Sequence, residues 1–500
     1  VIFSPYCSIF IFNIYNCNTI YFVLFIGKNI LCLFSLIVIS KYKVVACLQI
    51  DIQASHSHCR LWAAMKYALD IFEETGQTIQ MAPTCIDLFS GCGGMSLGLH
   101  MAGFRGIMGI EAHPHAFESY RHNLIDNPSI GMDWPAWLPL GPNNVVDLAT
   151  NYTSHLAAMT GTVDLLAGGP PCQGFSMNGR RDPDDPRSRM VEAYLDFVAL
   201  VRPRFVLLEN VRGFQSMPHA KGGTYAAATR ERLSSLGYDS WADVLVASNW
   251  GVPQRRPRYI CIAALRGSFS GINPLERLKT NRRNFLAKRG LGSGETSVAD
   301  ALSDLIADPH VSNDTTWEAP GYPGIKRINP KTLTSYQRLM RQHSIDQPSD
   351  RRLARHNKHV TDRMRNILES CERGRAISQA DRLRLGIGKR STTPLSPELP
   401  APTVTTLPDD LIHYSDPRTM SVRELARIQS FPDWFSFKGP YTTGGARRKN
   451  DCPRYTQVGN AVPPLLAEAI GEVLFDLLTN QNFSNTTHVP KLARKFSAVP

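Results

Sequence analysis

The chain has 500 residues, 43% of them hydrophobic, and a formal net charge of +12. That length predicts two domains, and the charge points to a polyanionic partner such as nucleic acid. Its eleven cysteines include no Cys-x-x-Cys pair. This argues against a zinc site or a disulfide framework and fits a reducing compartment.

The first eighty residues differ in texture from the rest. Tyr21 to Ser40 is mostly apolar, close to the roughly 20 residues of a membrane helix, but Lys28-Asn29 interrupts it. Residues 1–20 contain no Lys or Arg, so a secretory signal is not indicated. Cys7, Cys17, Cys32, Cys47 and Cys59 all fall here. Residues 1–80 are expected to stand outside the working protein, which would begin at Met65 or Met81; a membrane or partner segment is the alternative.

Thr84 to Phe89 reads as a short buried strand. It runs into Ser90-Gly91-Cys92-Gly93-Gly94 and then a helical pattern, Met95 to Leu99. Strand, glycine turn and helix open a nucleotide-binding βαβ unit. The spacing is Gly-x-Gly-Gly, which does not suit a dinucleotide pyrophosphate. The next apolar strand, Gly106 to Ile110, ends in Glu111. A carboxylate at that tip can accept from both ribose hydroxyls of an adenosine. Together the loop and the acid point to an adenosine-containing cofactor.

Val163 to Ala167 is another buried strand, leading into Gly168-Gly169-Pro170-Pro171-Cys172-Gln173-Gly174-Phe175-Ser176. The prolines fix φ and remove donors, so the strand must stop and Cys172 is presented on a stiffened turn. Met177 to Arg187 is polar and rich in turn formers, a candidate lid directly after that cysteine. Arg204 to Leu208 precedes Glu209-Asn210-Val211, a carboxylic acid among apolar neighbours placed to share a proton with a substrate ring nitrogen. Gln254-Arg255-Arg256-Pro257-Arg258 enters the strand Tyr259 to Ala263; guanidinium forks there suit phosphate and base acceptors.

Residues 266–415 are more polar and basic. The interval 271–400 holds about 23 Lys and Arg against about 14 Asp and Glu, so most of the net charge lies there. Such a surplus neutralises phosphates and gives salt-sensitive nucleic-acid binding, without saying which bases are read. Ser391 to Pro402 reads as a connector, Leu465 to Leu478 as an apolar helix, and the segment after Asn480 as a polar tail.

This ordered set closely resembles the DNA (cytosine-5) methyltransferase family over roughly residues 84 to 478. The carrying motifs are Asp87-Leu88-Phe89-Ser90-Gly91-Cys92-Gly93-Gly94, Glu111, Pro170-Pro171-Cys172-Gln173, Glu209-Asn210-Val211 and Gln254-x-Arg256-x-Arg258. They continue with Arg423-Glu424-x-Ala426-Arg427-x-Gln429-Ser430-Phe431-Pro432 and Gln457-Val458-Gly459-Asn460-Ala461-Val462-Pro463-Pro464. The resemblance implies an α/β, Rossmann-like S-adenosyl-L-methionine-dependent fold with a mixed, mainly parallel sheet and a smaller target-recognition domain. The implied divisions are 81–265 catalytic, 266–415 target-recognition, 416–480 a return segment completing the catalytic domain, and 481–500 the tail.

It further implies that Cys172 attacks C6 of cytosine and Glu209 holds N3 and the exocyclic amine. Arg258 would lie near O2, and Arg256 would steady the cysteine loop and a phosphate. For the cofactor, Phe89 would lie on adenine, Glu111 on ribose, and Gly91 and Gly93 beside the amino-acid moiety. Asp147 would take the adenine amino group, and Asn460, in a loop, would complete the pocket. Ala112 stands where the family often has an aromatic residue. Double-stranded DNA is the implied partner, with no metal and no membrane, for a cytoplasmic, nucleoid-associated monomer. A tRNA methyltransferase and a binding module with a dead site are the alternatives. The long basic interval favours DNA, and the joint presence of Cys172, Glu209 and Arg258 favours activity.

Overall fold

The computed structural model describes residues 82–171, 188–219, 222–269, 273–308, 322–344, 347–442 and 451–479. Of the N-terminal unit, Val1–Ala82, it otherwise gives four strands. Cys7–Phe12 pairs antiparallel with Tyr21–Ile26, and Ile37–Ser40 with Lys43–Ala46. Both ends of the apolar Tyr21 to Ser40 stretch are thus strand. Among the described residues no helix is long and apolar enough to cross a membrane.

The second unit is built on a six-stranded sheet. Its strands are β1 (Thr84–Leu88), β2 (Arg105–Ile110), β3 (Leu165–Gly168), β4 (Phe205–Val211), β5 (Tyr238–Val246) and β6 (Pro257–Leu265). The spatial order is β2-β1-β3-β4-β6-β5. β1 to β4 run parallel, and β6 is antiparallel to both β4 and β5. The mixed, mainly parallel sheet expected from the sequence is present.

Each central strand reads as a continuous apolar run because both of its faces are covered. Leu165, Ala167, Phe205, Leu207, Ile260 and Ile262 belong to one core. The alternate residues Leu166, Val206, Leu208, Tyr259 and Cys261 belong to the other. Burying each large aliphatic or aromatic side chain is worth about 1.5–3 kcal/mol, so the register of these strands is strongly fixed. β1 neighbours β2 on one side and β3 on the other. That reversal opens a crevice at the C-terminal strand ends, where open α/β sheets bind ligands.

Six helices position the crevice: α1 (Gly94–Met101), α2 (Pro114–Tyr120), α3 (Pro274–Lys288), α4 (Val422–Ile428), α5 (Arg454–Asn460) and α6 (Pro464–Thr479). α6 returns from the far end of the chain to pack on α1. A Cβ on Gly98 would lie 2.4 Å from the Pro464 carbonyl and 2.5 Å from the Ala467 Cβ. The catalytic unit is therefore discontinuous in sequence.

The interval from residue 266 shares core and buried ion pairs with the return segment. Leu278, Phe285 and Leu286 of α3 share a core with Leu474 and Leu477 of α6. Arg289, stacked on Phe285, pairs with Glu468 and Glu472. Further along, Asp304 binds Arg427 and Asp350 binds both Arg423 and Arg454, all essentially buried. These ion pairs draw the interval onto the return segment. Among the described residues, a small core of its own forms around Met364, Ile367, Leu368, Ile377 and Ile412.

Candidate active site

The cofactor side begins at the tip of β1. Phe89 adopts φ +57°, unusual for a bulky residue, the kind of local strain that clusters at ligand sites. Gly91 follows at φ +56°, and a Cβ placed there would meet nothing within 4 Å. Gly93 differs: its Cβ would fall 2.5 Å from Leu124 and 3.0 Å from Tyr120. It is needed for close packing and a positive φ, so Gly91 is the glycine with open space beside it.

Glu111, at the tip of β2, is fixed by two main-chain donors. The Gly91 N–H reaches Oε2 at 3.0 Å and the His113 N–H reaches Oε1 at 2.7 Å. Each oxygen keeps lone pairs that ribose hydroxyls can meet. Burial raises the Glu111 pKa, and the His113 and Gly91 bonds oppose it. Beneath the loop, the buried Asp87 accepts from the Ser96 hydroxyl at 2.6 Å, and burial pushes it up to about 7. The open face at Gly91 and the oriented Glu111 fit an adenosine-bearing methyl donor.

Asp147 follows this edge on a short helix. Asn144 caps the helix Val145–Asn151, which places Asp147 in its first turn, exposed and favoured there by the helix dipole. The Asn143 N–H makes the contact with the Glu111 carbonyl, at 2.9 Å. Asn460 is the last residue of α5 rather than part of a loop. It is exposed, and the following turn lies against the start of α1: a Cβ on Gly94 would sit 2.3 Å from the Val462 carbonyl.

The chemical side lies at the tips of β3, β4 and β6. β4 continues through Val211, so Glu209 and Asn210 are strand residues rather than residues beyond its end. Arg258 stands opposite Val211 in the antiparallel register, which makes Glu209 its diagonal neighbour on the same face. The result is an ion pair, Arg258 Nε to Glu209 Oε1 at 2.8 Å, with both side chains about a tenth exposed. The other carboxylate oxygen lies at the turn after β3: a Cβ on Gly169 would be 3.1 Å from Glu209 Oε2. Asn210 Nδ2 donates to the Pro170 carbonyl at 3.2 Å, anchoring the turn that leads to the cysteine. An asparagine beside a strand-borne acid carries no sequence signal of this long-range bond. Cys172 itself, and the candidate lid Met177 to Arg187, lie outside the described residues.

Arg256, expected beside the cysteine loop and a phosphate, has its guanidinium buried against main-chain carbonyls. It is only 2% exposed. Its Nη1 donates to the Val404 carbonyl at 3.0 Å and its Nη2 to the Gly459 carbonyl at 2.9 Å. Burial pushes its pKa well down. Gln254 works alongside it, accepting from the Val404 N–H and donating to Gln429 Oε1. These two residues staple the stretch around Val404 to the return segment, and of the three arginines it is Arg258 that meets Glu209. Arg255 is exposed and pairs with Glu295. Among the described residues no group of His, Cys, Asp and Glu could hold a metal ion.

The family model described as C-5 cytosine-specific DNA methylase matches residues 83–476. The chain is similar to the type II methyltransferase M.DdeI of Desulfomicrobium norvegicum, 32% identical over 419 residues, covering 81% of this chain and 91% of that protein. It is also similar to the type II methyltransferase M1.HphI of Haemophilus parahaemolyticus, 30% identical over 423 residues, with 84% and 94% covered. A crystal structure described as a DNA modification methyltransferase encoded within an Escherichia coli prophage aligns with a TM-score of 0.58. It is 25% identical and covers 80% of this chain and all of that one. With its motifs in order on a matching α/β sheet, the chain belongs to the C-5 cytosine-specific DNA methylase family and is a DNA (cytosine-5) methyltransferase that uses S-adenosylmethionine.

Proposed function

We propose that the protein methylates C5 of one cytosine within a specific duplex sequence, after that nucleotide is swung out of the stack, through a covalent bond from Cys172 to C6. The observation that carries this reading is the Glu209–Arg258 pair, set one strand away from the anchored turn that leads to Cys172. When bound, S-adenosylmethionine supplies the electrophilic methyl group. Cytosine C5 is too poor a nucleophile to take it unaided. Attack of the Cys172 thiolate on C6 pushes electron density to C5 and splits a hard step into two easier ones.

Glu209 holds N3 and the amino group through the oxygen facing the Gly169 turn, while Arg258 fixes the other oxygen and reaches toward O2. After C5 takes the methyl, its proton passes to a base, for which water suffices. β-Elimination then returns the electron pair to sulfur and frees the thiolate. C5 and C6 are shielded inside a duplex, so the target must be extruded.

Phe89, Gly91, Glu111 and Asn460 form the cofactor pocket, with Gly93 shaping it from behind. Target reading falls to the basic segment around the small core of Met364, Ile367 and Leu368. Its charge favours DNA over the shorter demands of a tRNA substrate. The working protein is a cytoplasmic, nucleoid-associated monomer, and its similarity to type II methyltransferases fits a place in a restriction-modification system.

Base-resolution bisulfite sequencing of plasmid from a methylation-free host expressing the chain is the direct test. Protected cytosines in one short context, absent with Cys172→Ala, support the reading. No protection by soluble protein overturns it and turns attention to RNA. Duplexes carrying 5-fluorocytosine at the target should trap a covalent complex, because fluorine cannot leave as the proton does.

A further inference from the structure

The cofactor pocket is assembled from chain segments more than three hundred residues apart, which raises the question of what sets their register. Glu111 leads directly into α2, whose N-cap is His113. Ser119, near the far end of α2, is fully buried. Its Oγ lies 2.6 Å from Oε1 of Gln457 and accepts the Lys438 N–H at 2.7 Å. Its helical alternative, the His115 carbonyl, is more distant at 3.2 Å.

Gln457 is 2% exposed and stands on α5 three residues before Asn460. Its Nε2 donates to the Lys438 carbonyl at 2.9 Å and to the Cys452 carbonyl at 3.0 Å. Its own main-chain carbonyl receives the thiol of Cys92, in the glycine loop, at 3.8 Å. One residue therefore touches the helix that follows the ribose acid, the loop between β1 and α1, and two points of the return segment. Both amide N–H groups are spent on carbonyls and the amide oxygen faces a hydroxyl. A flipped amide, or a carboxylate, would set oxygen against two carbonyl oxygens. The requirement is for glutamine in one orientation.

We infer that Gln457 is a positioning residue for S-adenosylmethionine: through Ser119 and Cys92 it holds Asn460 in register with Glu111 and the glycine loop. The inference rests on the assignment of Glu111 and Asn460 to the pocket. Gln457 acts on the pocket from behind and takes no part in the chemical step.

The test uses the full chain, with S-adenosylmethionine binding by calorimetry, DNA binding by anisotropy and steady-state transfer measured on each variant. Gln457→Glu should weaken cofactor affinity about tenfold or more, the scale of one lost buried hydrogen bond. KM for the cofactor should rise in step, with kcat at saturation within about twofold and DNA affinity unchanged, the pattern of lost uniform binding. Ser119→Ala should show the same split. The double variant should lose less than the product of the two single effects, because both remove one contact.

Unchanged cofactor affinity in folded Gln457→Glu, or a fall in kcat alone, overturns the inference. If Gln457→Glu does not fold, Ser119→Ala decides by the same criteria. Glu111→Ala, run in parallel, separates the two levels: its failure to weaken cofactor binding would mean that the pocket itself is misassigned.

Discussion

Glu209→Gln removes one charge from the active site while conserving shape, and its consequences can be sized from the geometry. The paired charges are about 4 Å apart, which at an effective dielectric near 20 corresponds to about 4 kcal/mol of attraction before desolvation is subtracted. Breaking a fully buried pair typically costs roughly 3–5 kcal/mol. Here both side chains are about a tenth exposed at the cleft, so about 2–3 kcal/mol is expected. Spread over the unfolding entropy of the roughly 400-residue unit, that loss lowers Tm by only about 3 °C.

The catalytic loss should be far larger. Glu209 is assigned to the ring nitrogen and amine as charge develops, and removing such a preorganised group costs about 10²–10³ in kcat. Thermal unfolding, S-adenosylmethionine calorimetry and single-turnover methyl transfer would be compared on one preparation. The expected pattern is a small drop in Tm, unchanged cofactor affinity and a large fall in rate. A rate within about fivefold of the parent would refute the assignment of Glu209. A collapse of cofactor binding together with the rate would show that the ion pair is structural.

Other expectations follow from the same geometry. Cys172→Ala should abolish transfer and leave S-adenosylmethionine binding intact by calorimetry; equal loss of both in folded protein would make the thiol structural. Gly169→Ala puts a Cβ 3.1 Å from Glu209 Oε2, and the displaced carboxylate should cost roughly tenfold in kcat with little change in Tm. His413 is buried beside Glu424, Asp416 and Arg418, and burial pushes its pKa down to about 4. The unfolded chain takes that proton near 6.5 while the folded chain does not until about 4. Stability should therefore fall as pH drops through that window, by about 3 kcal/mol in all, and His413→Gln should flatten the Tm profile there. Raising salt from about 50 to 200 mM should weaken DNA binding steeply, while cofactor affinity, set by buried contacts, should change less than twofold.

The strand tips were readable from sequence because parallel strands buried on both faces appear as unbroken apolar runs, and the chemistry sits where those runs stop. Which arginine meets Glu209 was not readable. Arg256 and Arg258 are the same residue type two positions apart, and the choice follows from pairing of Arg258 with Val211 across two distant strands. That Asn144 caps a helix and sets Asp147 in its first turn was not readable either. The buried attachment of the interval after residue 266 to the return segment was hidden for a related reason. Asp304 and Asp350 look like surface residues in a polar stretch, but their arginine partners lie 123 and 73 residues away. Long-range ion pairs leave no local pattern.

The arginines also show how one side chain type serves opposite purposes in this fold. A guanidinium facing a carboxylate at the cleft, as Arg258 does, keeps that acid oriented and can redirect its own donors toward a base. A guanidinium with main-chain carbonyls as its hydrogen-bond acceptors, as Arg256 has in Val404 and Gly459, gains little from Coulomb attraction. What it supplies is direction: its donors lie in one plane and reach segments 148 and 203 residues away at once. Gln429 adds a bond to the Val458 carbonyl at 2.6 Å, and a Cβ on Gly459 would sit 2.3 Å from the Thr405 carbonyl. The end of α5 that bears Asn460 is thus held by two interior hydrogen bonds, to the Gly459 and Val458 carbonyls, and by close packing against Thr405. The proposed pocket, built from distant parts of the chain, needs that rigidity, because a return segment free to drift by an ångström would separate Glu111 from the wall opposite it.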